Sequence, residues 1–197
     1  MSRIEQLQQG VSALYQAKHE GRAEWADWLY AHHLFLVEDQ AGKIADRFGA
    51  KKELAMAAGL LHDIADAVMG RNEPRHEEES FRIARSLLHD AGFSEEEMTV
   101  IVDDAMKWHG CHNGNVPTSL EGKVMATADA LAHLQSDFYE HAVQAMRASG
   151  KTIEQIKQWA LPKIERDFQA KIFFPEIQED VRSDYERLKS FFSEELR

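Results

Sequence analysis

Ala57-Ala58-Gly59-Leu60-Leu61-His62-Asp63-Ile64-Ala65-Asp66 is the stretch on which the fold of this 197-residue chain turns. Small and apolar residues lead into an adjacent histidine and aspartate, so a ligand-type pair is carried into a predicted core. Adjacent residues on a helix point about 100° apart, so His62 and Asp63 cannot enclose an ion alone. Partners must come from other helices. The chain supplies His33, His76, His109 and Asp129, each within or at the end of a predicted helix. The pattern predicts an all-α, single-domain helical bundle with a metal site in its core.

The periodicity is helical almost throughout, and no stretch reads as a strand. A first helix is expected near Ile4 to His19 and a second from about Ala23 to Phe48. The second carries an apolar stripe of Leu34, Val37, Ala41, Ile44 and Phe48, with His33 one turn before Val37. The third spans roughly Lys52 to Val68 and bears the dyad in its last turns. After a loop containing Pro74, a fourth begins near His76 and stops at Gly92. Ser94 and Glu97 form a capping box for the fifth, which His109 closes. Thr118 and Glu121 are expected to cap the sixth, which holds Asp129. Thr152 and Gln155 cap the seventh, and Pro175 opens the last. The expected division is an N-terminal helix over 1–22, a metal-binding domain over 23–148, and C-terminal helices over 149–197 packed on the same domain. The segment from Lys151 onward shows no obvious chemistry and reads as a cover or a homodimer surface.

Composition narrows the classes. Hydrophobic residues make up 44% and charged residues 29%, as in a soluble globular protein. The net charge of −11 argues against nucleic-acid polymers and anionic membranes as partners. A small phosphorylated substrate stays open, because bound divalent ions reverse the local field. The single cysteine, Cys111, excludes an intrachain disulfide. Met1 to Gly10 lacks an apolar signal core, and no apolar run approaches the roughly 20 residues of a membrane span, so a cytoplasmic location is expected.

Imidazole and carboxylate together suit iron, manganese, nickel, cobalt or zinc, with magnesium also allowed, in one or two ions. Each ligand alone has a plainer reading: His33 as a hydrogen-bonded core residue, His76 as a surface residue. Asp129 is harder to explain away. It sits in Ala126-Thr127-Ala128-Asp129-Ala130-Leu131, where a carboxylate is costly unless paired or metal-bound.

The segments His33-Leu34-Phe35-Leu36-Val37, Leu60-Leu61-His62-Asp63-Ile64 and Ala128-Asp129-Ala130-Leu131 resemble the HD-domain metal-dependent phosphohydrolases, over about Ala31 to Leu134. The resemblance implies an all-α fold and one ion held by His33, His62, Asp63 and Asp129. His76-Glu77-Glu78-Glu79-Ser80 and Ala105-Met106-Lys107-Trp108-His109 resemble the extra ligand pair of the binuclear branch. There Asp63 would bridge two ions, one taking His33, His62 and Asp129, the other His76 and His109. The Gly-Tyr-Pro signature of the cyclic-dinucleotide branch and the Glu-Asp pair of the alarmone hydrolases are both missing after the dyad.

Asp66, one turn after Asp63, matches an acid that mononuclear nucleotidases of this family carry, which implies a proton donor to the leaving group. Its alternative is a solvated helix-end carboxylate. Arg71, Arg75 and His112 are candidate phosphate contacts, each with a surface alternative. His133, one turn after Asp129, is a candidate partner for a ligand. Three readings stay open. The first is hydrolysis of a phosphate ester of a nucleotide or related metabolite, with metal-activated hydroxide as nucleophile. The second is a mixed-valence di-iron oxygenase on the same frame. The third is a non-enzymatic helical module with a structural metal.

Overall fold

A computed structural model describes residues 1–196. Capping chemistry sets the first boundary: Ser2 and Glu5 cap each other's backbone at the start of α1 (Arg3–Gln16). A short turn, α2 (Ala26–Trp28), leads through a π-helical turn over Leu29–His33 into α3 (Leu34–Phe48). Gly49 ends α3 at φ 76°, a backbone geometry that glycine adopts without steric penalty. α4 (Lys52–Leu61) follows and runs into a 3-10 turn over Ile64–Ala67.

α5 (His76–Asp90) stops before Gly92, and the Ser94–Glu97 capping box starts α6 (Glu95–Met98). α6 continues as a π-helix over Thr99–Met106. The long α7 (Leu120–Gln135) and α8 (Phe138–Ala148) come next. The Thr152–Gln155 capping box opens α9 (Ile153–Gln169), and α10 (Pro175–Asp180) and α11 (Arg182–Ser190) follow, the latter running into a π-helical turn over Phe191–Glu195. Among the described residues there is no strand, and no helix is long and apolar enough to cross a membrane.

α3, α4 and α7 form the centre, with α3 packed most extensively on α4 and then on α7. α7 is buried along nearly its whole length, on all sides rather than on one stripe, and it carries Thr127, Asp129 and His133 inside with its apolar residues. α9 and α11 pack on it from the C-terminal side. Gly59 makes the α3–α4 approach close: a Cβ there would lie 3.2 Å from the Glu38 nitrogen and 3.3 Å from the Val37 carbonyl carbon. Both are backbone atoms and cannot swing away.

Three local expectations differ from the structure. The second helix is not continuous from Ala23, because π-helical hydrogen bonding interrupts it at Leu29–His33. The helix expected over Lys52 to Val68 is α4 and ends at Leu61, so the dyad lies at its break rather than inside it. Ser119, not Thr118, caps α7 by accepting from the Gly122 nitrogen at 2.9 Å. The reason lies across the loop. Asp104 accepts from the backbone nitrogens and hydroxyls of both Thr118 and Ser119, and Glu121 is drawn to the Lys51 nitrogen at 2.9 Å.

Glu38, 4% exposed on α3, accepts from Gln8 Nε2 at 2.7 Å. Burial pushes its carboxyl pKa up, and Gln8 only partly offsets that. A carboxyl raised on folding favours the protonated native state, so its ionisation lowers stability as pH rises through and above the ordinary glutamate range. Glu38→Gln is expected to raise the melting temperature by about 2 °C at pH 7.5 and to leave it unchanged near pH 3.5. Equal shifts at both pH values in calorimetry would contradict this.

Candidate metal centre

The site is assembled where regular helix gives way. His33 ends the π-helical turn at φ −118° and ψ −56°, off the register that α3 alone would give it. Such turns recur at functional sites because the extra residue re-aims side chains. Asp63 sits at φ −113° and ψ 26°, between α4 and the 3-10 turn. Its carbonyl accepts from the Tyr15 hydroxyl at 2.9 Å and from the Asp66 nitrogen at 3.1 Å. The break is therefore stitched to α1.

His33, His62 and Asp129 converge. Each offers one donor atom, the three lie within 4.8 Å of one another, and all three residues are buried. The two Nε2 atoms are 3.2 Å apart. Oδ1 of Asp129 is 3.2 Å from His33 Nε2, 3.6 Å from His62 Nε2 and 3.3 Å from His133 Nε2. That oxygen is nevertheless buried without a hydrogen-bond partner among the described residues.

His62 Nδ1 lies 2.8 Å from the Gly59 carbonyl and so carries the proton, which leaves a lone pair on Nε2. His62 Nε2 and Asp129 Oδ1 are acceptors that face His33 Nε2 across one buried space, where a cation would take a lone pair from each of the three. The residues therefore fit a divalent ion, and the donor set is one that transition metals accept. Burial pushes the His33 imidazole pKa down, which keeps it a neutral donor.

The other sequence-expected ligands are placed differently. Asp63 Oδ2 is 3.5 Å from His62 Nε2 and accepts from Arg71 Nη2 at 2.6 Å. Burial opposes ionisation of Asp63, but Arg71 and the nearby His62 and His109 hold its carboxyl well below the usual range. His109 packs its ring 5.3 Å from that of His62. Its Nδ1 is 2.5 Å from the Met106 carbonyl, and burial brings its pKa down to about 4. His76, expected with His109 on a second ion, has Nε2 2.8 Å from Asp66 Oδ1. Asp66 is fully buried, and its other oxygen is bonded to Arg71.

A cleft of about 380 Å³ opens onto this cluster, lined by His62, Asp63, Arg71, His76, His109 and His112 among others. Arg71 is half exposed, at 51% of its side chain. His112 stands exposed at the rim, and its ring occupies the space that a Cβ on Gly110 would need. Cys111, beside it, is buried, and burial pushes its thiol up to about 11. Arg75 lies exposed just before α5, outside the cleft lining.

His133, the expected partner for a ligand, meets groups from α8, α9 and the segment after α9 to which the sequence pattern assigns no role. His133 stacks on His33, with ring centres 5.2 Å apart. Its Nδ1 is 3.1 Å from Asp167 Oδ2 and 3.1 Å from Lys163 Nζ. Tyr139 donates to Asp167 at 2.9 Å, and Lys171 is bonded to Asp129 Oδ2. One signal was present in the sequence. Lys163, Asp167 and Lys171 recur at i, i+4 spacing, and Asp167 falls beside Ile164 and Phe168 on the apolar stripe of α9.

No curated protein and no solved structure matches the chain. The family model described as the HD domain matches residues 30–134, more than half of the chain. That span begins three residues before His33 and ends five after Asp129. With the trio converged inside it on an all-helical frame, the chain belongs to the HD domain family, which includes metal-dependent phosphohydrolases.

Proposed function

We propose that this protein is a metal-dependent phosphohydrolase that cleaves a phosphate ester of a nucleotide or related small metabolite. The observation that carries the reading is the convergence of His33, His62 and Asp129 behind a cleft that also exposes Arg71. These three residues would hold a divalent ion, with Asp63 beside them. The chemistry such an ion supplies is polarisation of a phosphoryl oxygen and acidification of a water near neutral pH.

The chain's own residues do the rest. Among the described residues Arg71 uses Nη2 alone on Asp63 and Asp66, so the remaining donors of its fork can take a phosphoryl oxygen bidentately. His112, exposed at the rim, adds a polar contact for the outer part of the substrate. Asp66 has both oxygens engaged and acts through its partners: it orients Arg71 and His76. With Nε2 held by Asp66, His76, on the cleft wall with 15% of its side chain exposed, would pass a proton to the leaving oxygen from Nδ1. A second ion at His76 and His109 would instead remove His76 from Asp66.

The test is phosphate release by purified protein across nucleotides and phosphorylated sugars, with manganese, cobalt, nickel, zinc and magnesium in turn. Release from at least one class, abolished by a chelator and restored by metal, is expected. Metal-loaded protein releasing no phosphate from any class, or iron-loaded protein consuming dioxygen instead, would overturn the reading.

A further inference from the structure

The segment after α9 places a cation where charge is costly. Lys171 is 2% exposed and donates through Nζ to Oδ2 of Asp129. It also lies 3.8 Å from Asp167 Oδ1. Its backbone is fixed by α7: Thr127 Oγ1 is 3.1 Å from the Lys171 carbonyl and accepts from the Phe173 nitrogen at 3.2 Å. Thr127 stands two residues before Asp129, so one helix sets both partners. Lys171 lies well outside residues 30–134, the span of the family match.

We propose that Lys171 is a positioning residue for the metal centre: it ties down Oδ2 of Asp129, presents Oδ1 alone to the space between His33 and His62, and lowers the affinity of the site for divalent cations. The geometry supports each part. Oδ2 is used by Lys171, whereas Oδ1 is the oxygen that faces the imidazole nitrogens. A buried ammonium on the same carboxylate repels a divalent ion, because the interior screens charge far less than water does. The aspartate is neutralised in advance, so the fold tolerates it without metal, and an ion that binds is exchangeable. This inference rests on the metal reading of His33, His62 and Asp129.

Its test separates a competing cation from a merely structural one, because the two predict opposite signs. Lys171→Gln keeps a donor for Oδ2 and removes the charge, and Lys171→Met removes both. Metal-stripped protein is titrated with Mn²⁺ by calorimetry, and its melting temperature is measured. Lys171→Gln is expected to bind Mn²⁺ about tenfold more tightly than the unaltered protein while melting lower without metal. Lys171→Met should melt lower still. Unchanged or weaker Mn²⁺ binding by folded Lys171→Gln overturns the proposal. So does failure of both variants to fold, which would make Lys171 a support of the fold alone. Unaltered protein that takes up no Mn²⁺ would remove the metal centre itself, and equal affinities would remove only the role of Lys171.

Discussion

Asp129→Asn is expected to keep the helical fold, to weaken divalent-ion affinity by about a hundredfold or more, and to lower phosphate release by about a thousandfold. Asp129 is the only carboxylate in the converged trio, and its Oδ1 is the atom around which three imidazole nitrogens gather. Asparagine keeps the size and one oxygen but loses the charge that balances a cation. Burial opposes ionisation of Asp129, yet His133 and Lys171 hold its carboxyl well below the usual range, so it is ionised when metal arrives. Circular dichroism should be unchanged, and equilibrium dialysis should show the loss of ion. Full metal content with full turnover in Asp129→Asn would contradict the assignment.

The largest stability effect is expected at Asp167. This residue is fully buried and accepts from Tyr139 at 2.9 Å and from Lys163 at 3.1 Å, with His133 Nδ1 also 3.1 Å away. Asp167→Ala leaves Lys163 and Lys171 in the interior with one carboxylate between them. Breaking a buried pair by removing one partner costs about 3–5 kcal/mol. For a domain of this size that lowers the melting temperature by roughly 10 °C. Asp167→Asn should lose less, because it still accepts from Tyr139.

The pH dependence has a definite sign. Burial opposes ionisation of Asp167, but Lys163, His133 and Lys171 hold its carboxyl far below the ordinary value. Stability from a depressed carboxyl is present above the unfolded pKa and is lost as pH falls towards the folded one. The difference between unaltered protein and Asp167→Ala should therefore stay constant from pH 8 to about pH 5 and shrink below about pH 4. A difference that grows on acidification would contradict the pairing.

What could be read from the residues was local. The Ser94–Glu97 and Thr152–Gln155 capping boxes lie within four residues and need no tertiary help, and both form. Gly92 ends α5 at φ 82° for an equally local reason. The resemblance carried by His33, the dyad and Asp129 identified the family and named the three residues that converge. Distant contacts were not readable. Asp104 decides which of Thr118 and Ser119 caps α7 from 14 and 15 residues away. Arg71 reads from sequence as a loop arginine that is either a phosphate contact or a solvated charge, and only the folded turn brings it between Asp63 and Asp66. The π-helical turn at Leu29–His33 lies inside a continuous helical pattern and follows from packing, not propensity. Lys171 and Asp167 fall in the segment from Lys151 onward that shows no obvious chemistry, since charge inside an apolar stripe has meaning only when its partner on another helix is known.

The most direct test is the position of the ion itself. Crystals of the protein grown with Mn²⁺ or Zn²⁺, measured at the metal's absorption edge, give its anomalous signal independently of any reaction. A peak about 2.0–2.3 Å from His33 Nε2, His62 Nε2 and Asp129 Oδ1 is the predicted result. A metal-saturated protein whose ion lies elsewhere, with these three side chains left uncoordinated, would contradict the account.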